Sequence, residues 1–144
     1  MKALVNPDLY RPIVRIIDDE ETVRNSEAFT LRVVGLETAC YATAEEFLVK
    51  DDLRYPGCII LDVRMPGMSG PELQQEINKR EIDLPIIFLS AHGNIGLAVD
   101  TLKRGAKDFY EKPVEPEKLR ETAARLVEEN LQARRKQYET QMLH

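Results

Sequence analysis

Five polar residues share a placement: each stands at or just after the end of a short run that reads as a strand. They are the Asp18-Asp19 pair, Asp62, Ser90 and Lys112. Three carboxylates gathered at one place repel, and one of them takes up a proton unless a counter-charge is supplied. A divalent cation resolves the conflict. Oxygen ligands with open positions suit Mg²⁺, which keeps several waters and takes one or two carboxylates. Lys112 adds fixed positive charge, and Ser90 adds a short hydroxyl donor. A cation and a lysine around one aspartate suit an incoming phosphoryl group, with Asp62 as the nucleophile. Taken singly, these residues have plainer readings. Asp18-Asp19 can serve as the cap of a helix starting near Glu21, and Lys112 as a surface lysine. Their joint placement is what favours a site.

The elements that must position them alternate in type. Residues 13–17 form a β-branched run ending in Asp18-Asp19, the pattern of a buried parallel strand. Over 21–34, Val23, Ala28, Leu31 and Val34 fall at helical spacing, and Gly35 supplies a stop. A second strand is predicted over 36–40, and a second helix from Thr43 or Ala44 carries Phe47 and Leu48. Tyr55-Pro56-Gly57 is a turn. Residues 58–61 form a third strand with Asp62 at its end. The loop 65–70 leads to a helix with Pro71 at its first position and Leu73 and Ile77 on its inner face. Residues 85–89 form a fourth strand ending in Ser90, 94–104 a fourth helix closed by Gly105, and 107–111 a short fifth strand. After Lys112-Pro113 a long helix begins near Glu115. Five strand–helix pairs with short connections predict an α/β fold, a doubly wound five-stranded parallel sheet with helices on both faces. In such sheets ligands sit at the carboxyl ends of the strands, where all five polar residues fall.

Composition narrows the function classes. The 144 residues suffice for one domain with a real core, at 43% hydrophobic and 31% charged. A net charge of −5 argues against a nucleic-acid surface. Cys40 and Cys58, both in strand-like runs, are expected to be buried reduced thiols, and no Cys or His spacing fits zinc. Residues 1–12 lack a signal peptide's apolar core, and no apolar run reaches membrane-span length, so a cytoplasmic location is expected.

The string Leu61-Asp62-Val63-Arg64-Met65-Pro66-Gly67-Met68-Ser69-Gly70 resembles the phosphoacceptor loop of response-regulator receivers. Asp18-Asp19 matches that family's acidic pair. Phe88-Leu89-Ser90-Ala91 matches its strand with a terminal hydroxyl. Gly105-Ala106-Lys107-Asp108-Phe109-Tyr110-Glu111-Lys112-Pro113 matches its last strand with the Lys-Pro pair. Asp19 and Asp62 are 43 positions apart, Asp62 and Ser90 28, Ser90 and Lys112 22, spacings that agree with the family. The resemblance spans about residues 13–130, and the loop string is most similar to FixJ-like members.

That resemblance implies a flavodoxin-like (βα)5 receiver fold, strand order 2-1-3-4-5. It implies that Asp62 accepts a phosphoryl group from a sensor histidine kinase. Mg²⁺ would be held by Asp19, Asp62 and the Arg64 backbone carbonyl, with Asp18 acting through water. Ser90 and Lys112 would bind the acyl phosphate. Phe109 stands where the family places a switch aromatic, often Tyr, and Tyr110 should point to the opposite face of its strand. Arg64 and His92 border the path of the hydrolytic water and are expected to tune phosphate lifetime. The surface expected to change is the fourth helix, fifth strand and fifth helix, which controls an output partner or domain.

Residues 1–12 read as an N-terminal extension, 13–130 as the receiver, and 131–144 as a helical C-terminal extension or linker. The last helix should bury Leu119, Ala123, Leu126 and Val127, and its pattern carries on through Leu131, Tyr138 and Met142. The tail is expected either to pair with a second copy or to lead to an output domain. Homodimers through the fourth helix, fifth strand and fifth helix are the other expected pairing. No helix-turn-helix fits in the 14 residues after the receiver, so the chain is not expected to bind DNA by itself. Two other functions compete. A phosphohydrolase of the haloacid-dehalogenase type needs a second Asp two positions after the nucleophile, where this chain has Arg64. A receiver that binds partners without phosphorylation usually lacks one of the acidic or Lys residues, and this chain has them all.

Overall fold

The short β-branched runs become parallel strands, each returned by a helix. The computed structural model describes residues 5–143. A 3₁₀ turn, Pro7–Leu9, precedes β1 (Ile13–Ile17), α1 (Glu21–Arg32), β2 (Glu37–Tyr41), α2 (Ala44–Lys50), β3 (Gly57–Asp62), α3 (Gly70–Lys79), β4 (Ile86–Ser90), α4 (Ile95–Lys103), β5 (Asp108–Glu111) and α5 (Pro116–Met142). The strands are all parallel, in order β2-β1-β3-β4-β5. The predicted α/β sheet is therefore observed, with element ends shifted by one or two residues.

Local chemistry accounts for the helix starts. The Thr43 hydroxyl accepts the Glu46 N–H, the Asn94 side-chain Oδ1 accepts the Leu97 N–H, and Ser69 and Glu72 form a reciprocal capping box. α1 ends two residues before the predicted Val34, which is exposed rather than on the inner face.

Alternate residues of β1, β3, β4 and β5 feed two cores. Ile17, Ile59, Leu61, Ile86 and Phe88 pack with α2 and α3, joined by Phe109. Val14, Ile16, Cys58, Ile60, Ile87 and Leu89 pack against α1 and α5, through Ala28, Leu31, Leu119, Ala123, Leu126 and Val127. Cys58 is buried as expected, but Cys40 is exposed, because it lies on the sheet's edge strand β2. Arg15 is fully buried in β1. It pairs with Asp51 at 3.0 Å and donates to the carbonyls of Ile13, Asp52, Tyr55 and Pro56, which satisfies a guanidinium that burial alone would penalise.

α5 runs on as one helix through 131–142, and side chains tie it down. Asn130 accepts the Gly57 N–H and donates to the Asp83 carbonyl. Arg134 pairs with Asp83 at 2.8 Å and donates to the carbonyls of Leu53 and Arg54, and Arg135 reaches Asp8 at 2.7 Å. Among the described residues, no helix is long and apolar enough to cross a membrane.

Candidate functional site

Strand register assembles the site. Ile17 pairs with Leu61, Asp62 with Leu89, and Ser90 with Glu111, so Asp18, Asp62, Ser90 and Lys112 arrive at one sheet edge. Backbone bonds fix the strand exits: the Asp18 N–H donates to the Tyr41 carbonyl, Val63 to Leu89, and Lys112 to Ser90 at 2.7 Å. The α3 start is pressed against β3. A Cβ on Gly70 would lie 2.2 Å from the Asp62 carbonyl oxygen, so glycine is what permits this approach. The Lys112–Pro113 peptide is cis.

Lys112 bridges two of the three aspartates. Its Nζ donates to Asp18 Oδ2 at 2.6 Å and to Asp62 Oδ1 at 3.1 Å. Asp18 and Asp62 are buried and Asp19 is exposed. Asp18 Oδ1 accepts the Glu20 N–H at 2.9 Å, and Arg24 donates to the Asp18 carbonyl. Glu20, not an aspartate, stands at the N-cap of α1, without a side-chain cap bond. Carboxylate oxygens of Asp18, Asp19 and Asp62 lie within 4.8 Å of one another, and among the described residues no other group of three such ligands does so. An oxygen-only set with this reach fits a hard divalent cation such as Mg²⁺.

Charge crowding shows in the titration of the site. Burial, then the charge of Asp18, pushes Asp62 up to about 6 against the opposing pull of Lys112. Burial works against the charge of Lys112, but its bond to Asp18 and the charges of Asp62 and Asp18 outweigh that and raise it. A hydroxyl waits beside them. Ser90 is buried, and its Oγ donates to the His92 carbonyl at 2.8 Å and accepts the His92 N–H at 3.2 Å.

Residues 14–124 match the family described as the response regulator receiver domain. The chain belongs to that family. Similar proteins include the response regulator protein TodT of Pseudomonas putida, 40% identical over 74% of this chain and 47% of its own length. The transcriptional regulatory protein FixJ of Azorhizobium caulinodans is 45% identical over 69% of this chain and 47% of its own. The chain thus spans about half the length of these relatives. Among solved structures, the response regulator StyR superposes with a TM-score of 0.84 at 37% identity, covering 92% of this chain and 67% of StyR. The sheet order is that of the flavodoxin-like receiver fold.

Other residues singled out in this receiver sit around that edge. Phe109 is half-buried and stacks on Phe88 with ring centroids 6.1 Å apart. Tyr110 points to the opposite face, where its hydroxyl meets Asp108 and Thr122. Arg64 and His92 are exposed in the loops after β3 and β4. Sequence reasoning missed Glu27. It is buried on α1, and burial followed by the charge of Asp18 pushes it up to about 7. Its place among Val23, Ala28 and Leu31 was the available signal, since it lies one residue before the buried Ala28.

Proposed function

We propose that Asp62 accepts a phosphoryl group from the phosphohistidine of a sensor histidine kinase and that this receiver thereby switches the α4-β5-α5 surface. The observation that carries the reading is Lys112 held against both Asp18 and Asp62 at the strand edge. An Asp62 oxygen forms the new O–P bond as the N–P bond of the donor breaks, and the imidazole leaves with the electron pair. Lys112 already stands where negative charge gathers on the transferring oxygens, which favours the transition state over the ground state. Asp19, Asp62 and the Arg64 carbonyl are the residues to hold Mg²⁺, with Asp18 acting through water. When bound, the ion supplies further positive charge at the same oxygens.

Ser90 must exchange its bonds to His92 for a phosphoryl oxygen, and that shift vacates space beside Phe88. Phe109 turns inward to fill it, so the two states differ in packing at β5. Arg64 and His92 flank the exposed approach and set how fast water removes the phosphoryl group. On α4, Ile95, Val99 and Leu102 recur at helical spacing and are exposed, which supports pairing with a second copy through α4-β5-α5. The α5 tail is the other candidate surface for such a dimer.

Relatives named as transcriptional regulators support an output in the control of transcription. In this reading the receiver acts in the cytoplasm through a partner or a further domain and makes no DNA contact itself. Its own chemistry is limited to self-phosphorylation from small donors and self-dephosphorylation, which makes it a signalling module rather than an enzyme. Borohydride reduction after treatment with acetyl phosphate and Mg²⁺, followed by peptide sequencing, tests the acceptor. Conversion of Asp62 alone to homoserine supports the reading. Conversion elsewhere, or none, contradicts it and favours a receiver that acts by binding alone.

A further inference from the structure

A cavity of about 490 Å³ opens between α1 and α5, next to the phosphorylation site. Its volume lies within the range of small-ligand sites. Val23, Val114, Pro116 and Leu119 make much of its wall apolar. Glu27 is the exception. It is 8% exposed and, among the described residues, has no hydrogen bond or ion pair. Its oxygens open into the cavity rather than being sealed off, so the carboxyl there faces the cavity and not a protein partner.

The neighbouring cations are already committed. Lys112 is held by Asp18 and Asp62, Arg24 donates to the Asp18 carbonyl, and Arg120 donates to the Thr30 carbonyl across the α1–α5 gap. Acidic groups are in excess here: Glu20 and Glu27 line the cavity, with Asp18 and Asp62 behind Lys112. The occupant that complements this lining is a donor that carries positive charge on a compact apolar body.

We propose that this cavity binds a small amine or amidine whose cationic end pairs with Glu27 and whose apolar body lies against Val23, Val114 and Leu119. A two-pronged amidinium matches a carboxylate best, because both oxygens accept a bond. The occupant shares Lys112 and Ala91 with the rim of the phosphorylation site, so its binding bears on access to Asp62. The site itself does not depend on phosphorylation, and direct binding tests it separately from the function proposed above.

Benzamidine is titrated into the full chain and followed by backbone amide NMR, with neutral, near-isosteric benzamide as the comparison. Saturable one-to-one binding is expected, with shifts centred on Val23, Thr30, Val114 and Leu119. Glu27→Gln, which keeps size and removes charge, should weaken benzamidine by about tenfold and leave benzamide unchanged. Glu27→Leu, with its fold checked by the same spectra, should abolish the preference for the cation. Absent saturation, equal binding of the two probes, or indifference to Glu27→Gln would overturn the proposal. Binding of an arginine-containing peptide but not of benzamidine would also overturn it, in favour of a protein partner.

Discussion

Lys112 pairs with two carboxylates at once, so its removal has consequences for both. In Lys112→Ala, Asp18 and Asp62 face each other without their shared cation, and the transferring oxygens lose a preorganised positive charge. Phosphorylation by acetyl phosphate should slow by about 10²-fold. An unchanged rate would contradict the role given to Lys112. At the exposed rim, Arg64→Ala with His92→Ala should change the dephosphorylation rate of the aspartyl phosphate while leaving its formation intact, and identical decay would remove both residues from the mechanism. Asp18, Asp19, Asp62, Ser90 and Lys112 were legible in the sequence because each ends a strand pattern. Glu27 was not, since a glutamate within an amphipathic helix reads as solvent face. Arg15 escaped for the same reason: a charge inside a β-branched run gives no sign of the Asp51 and four carbonyls that satisfy it.

At the scale of elements, β5 links the site to the α4 surface. Phe109 packs against Phe88 of β4 on one face while Tyr110 is held by Thr122 of α5 on the other, so the two aromatics answer to opposite faces of the sheet. Phe109→Ala should be phosphorylated like the wild type yet lose phosphorylation-dependent self-association in sedimentation. Wild-type association in that variant would refute the switch. Repeating the measurement on a chain ending at residue 130 assigns any pairing to α4 or to the α5 tail. Strand and helix identities followed from the period of the apolar residues. The docking of 131–142 did not, because Arg134 and Arg135 look like solvated charges until Asp83 and Asp8 are placed beside them by the fold. Cys40 was misjudged because an apolar run does not tell an edge strand from a central one.

For the whole molecule, burying acidic groups at one end of the sheet makes stability depend on pH. Asp62 rises from 3.8 to about 6, and Glu27 from 4.5 to about 7. The folded chain therefore keeps these protons at pH values where the unfolded chain has lost them, so the unfolded state binds fewer and stability falls as pH rises through this window. Without divalent cations, the protein should melt at a higher temperature at pH 5 than at pH 7.5, and Asp62→Asn with Glu27→Gln should flatten the difference. A melting temperature that rises over the same interval would contradict the charge crowding described for the site. The raised Lys112 acts in the same sense, but only in the alkaline range where lysine titrates: the folded chain holds that proton longer, so stability falls again as pH rises there.

The central claim is that Asp62 is the phosphoacceptor. Intact mass after incubation with acetyl phosphate and Mg²⁺ tests it most directly. The account predicts one added phosphoryl group, labile to base, absent without Mg²⁺ and absent in Asp62→Asn. An unmodified wild-type mass, or the same adduct on Asp62→Asn, would contradict it.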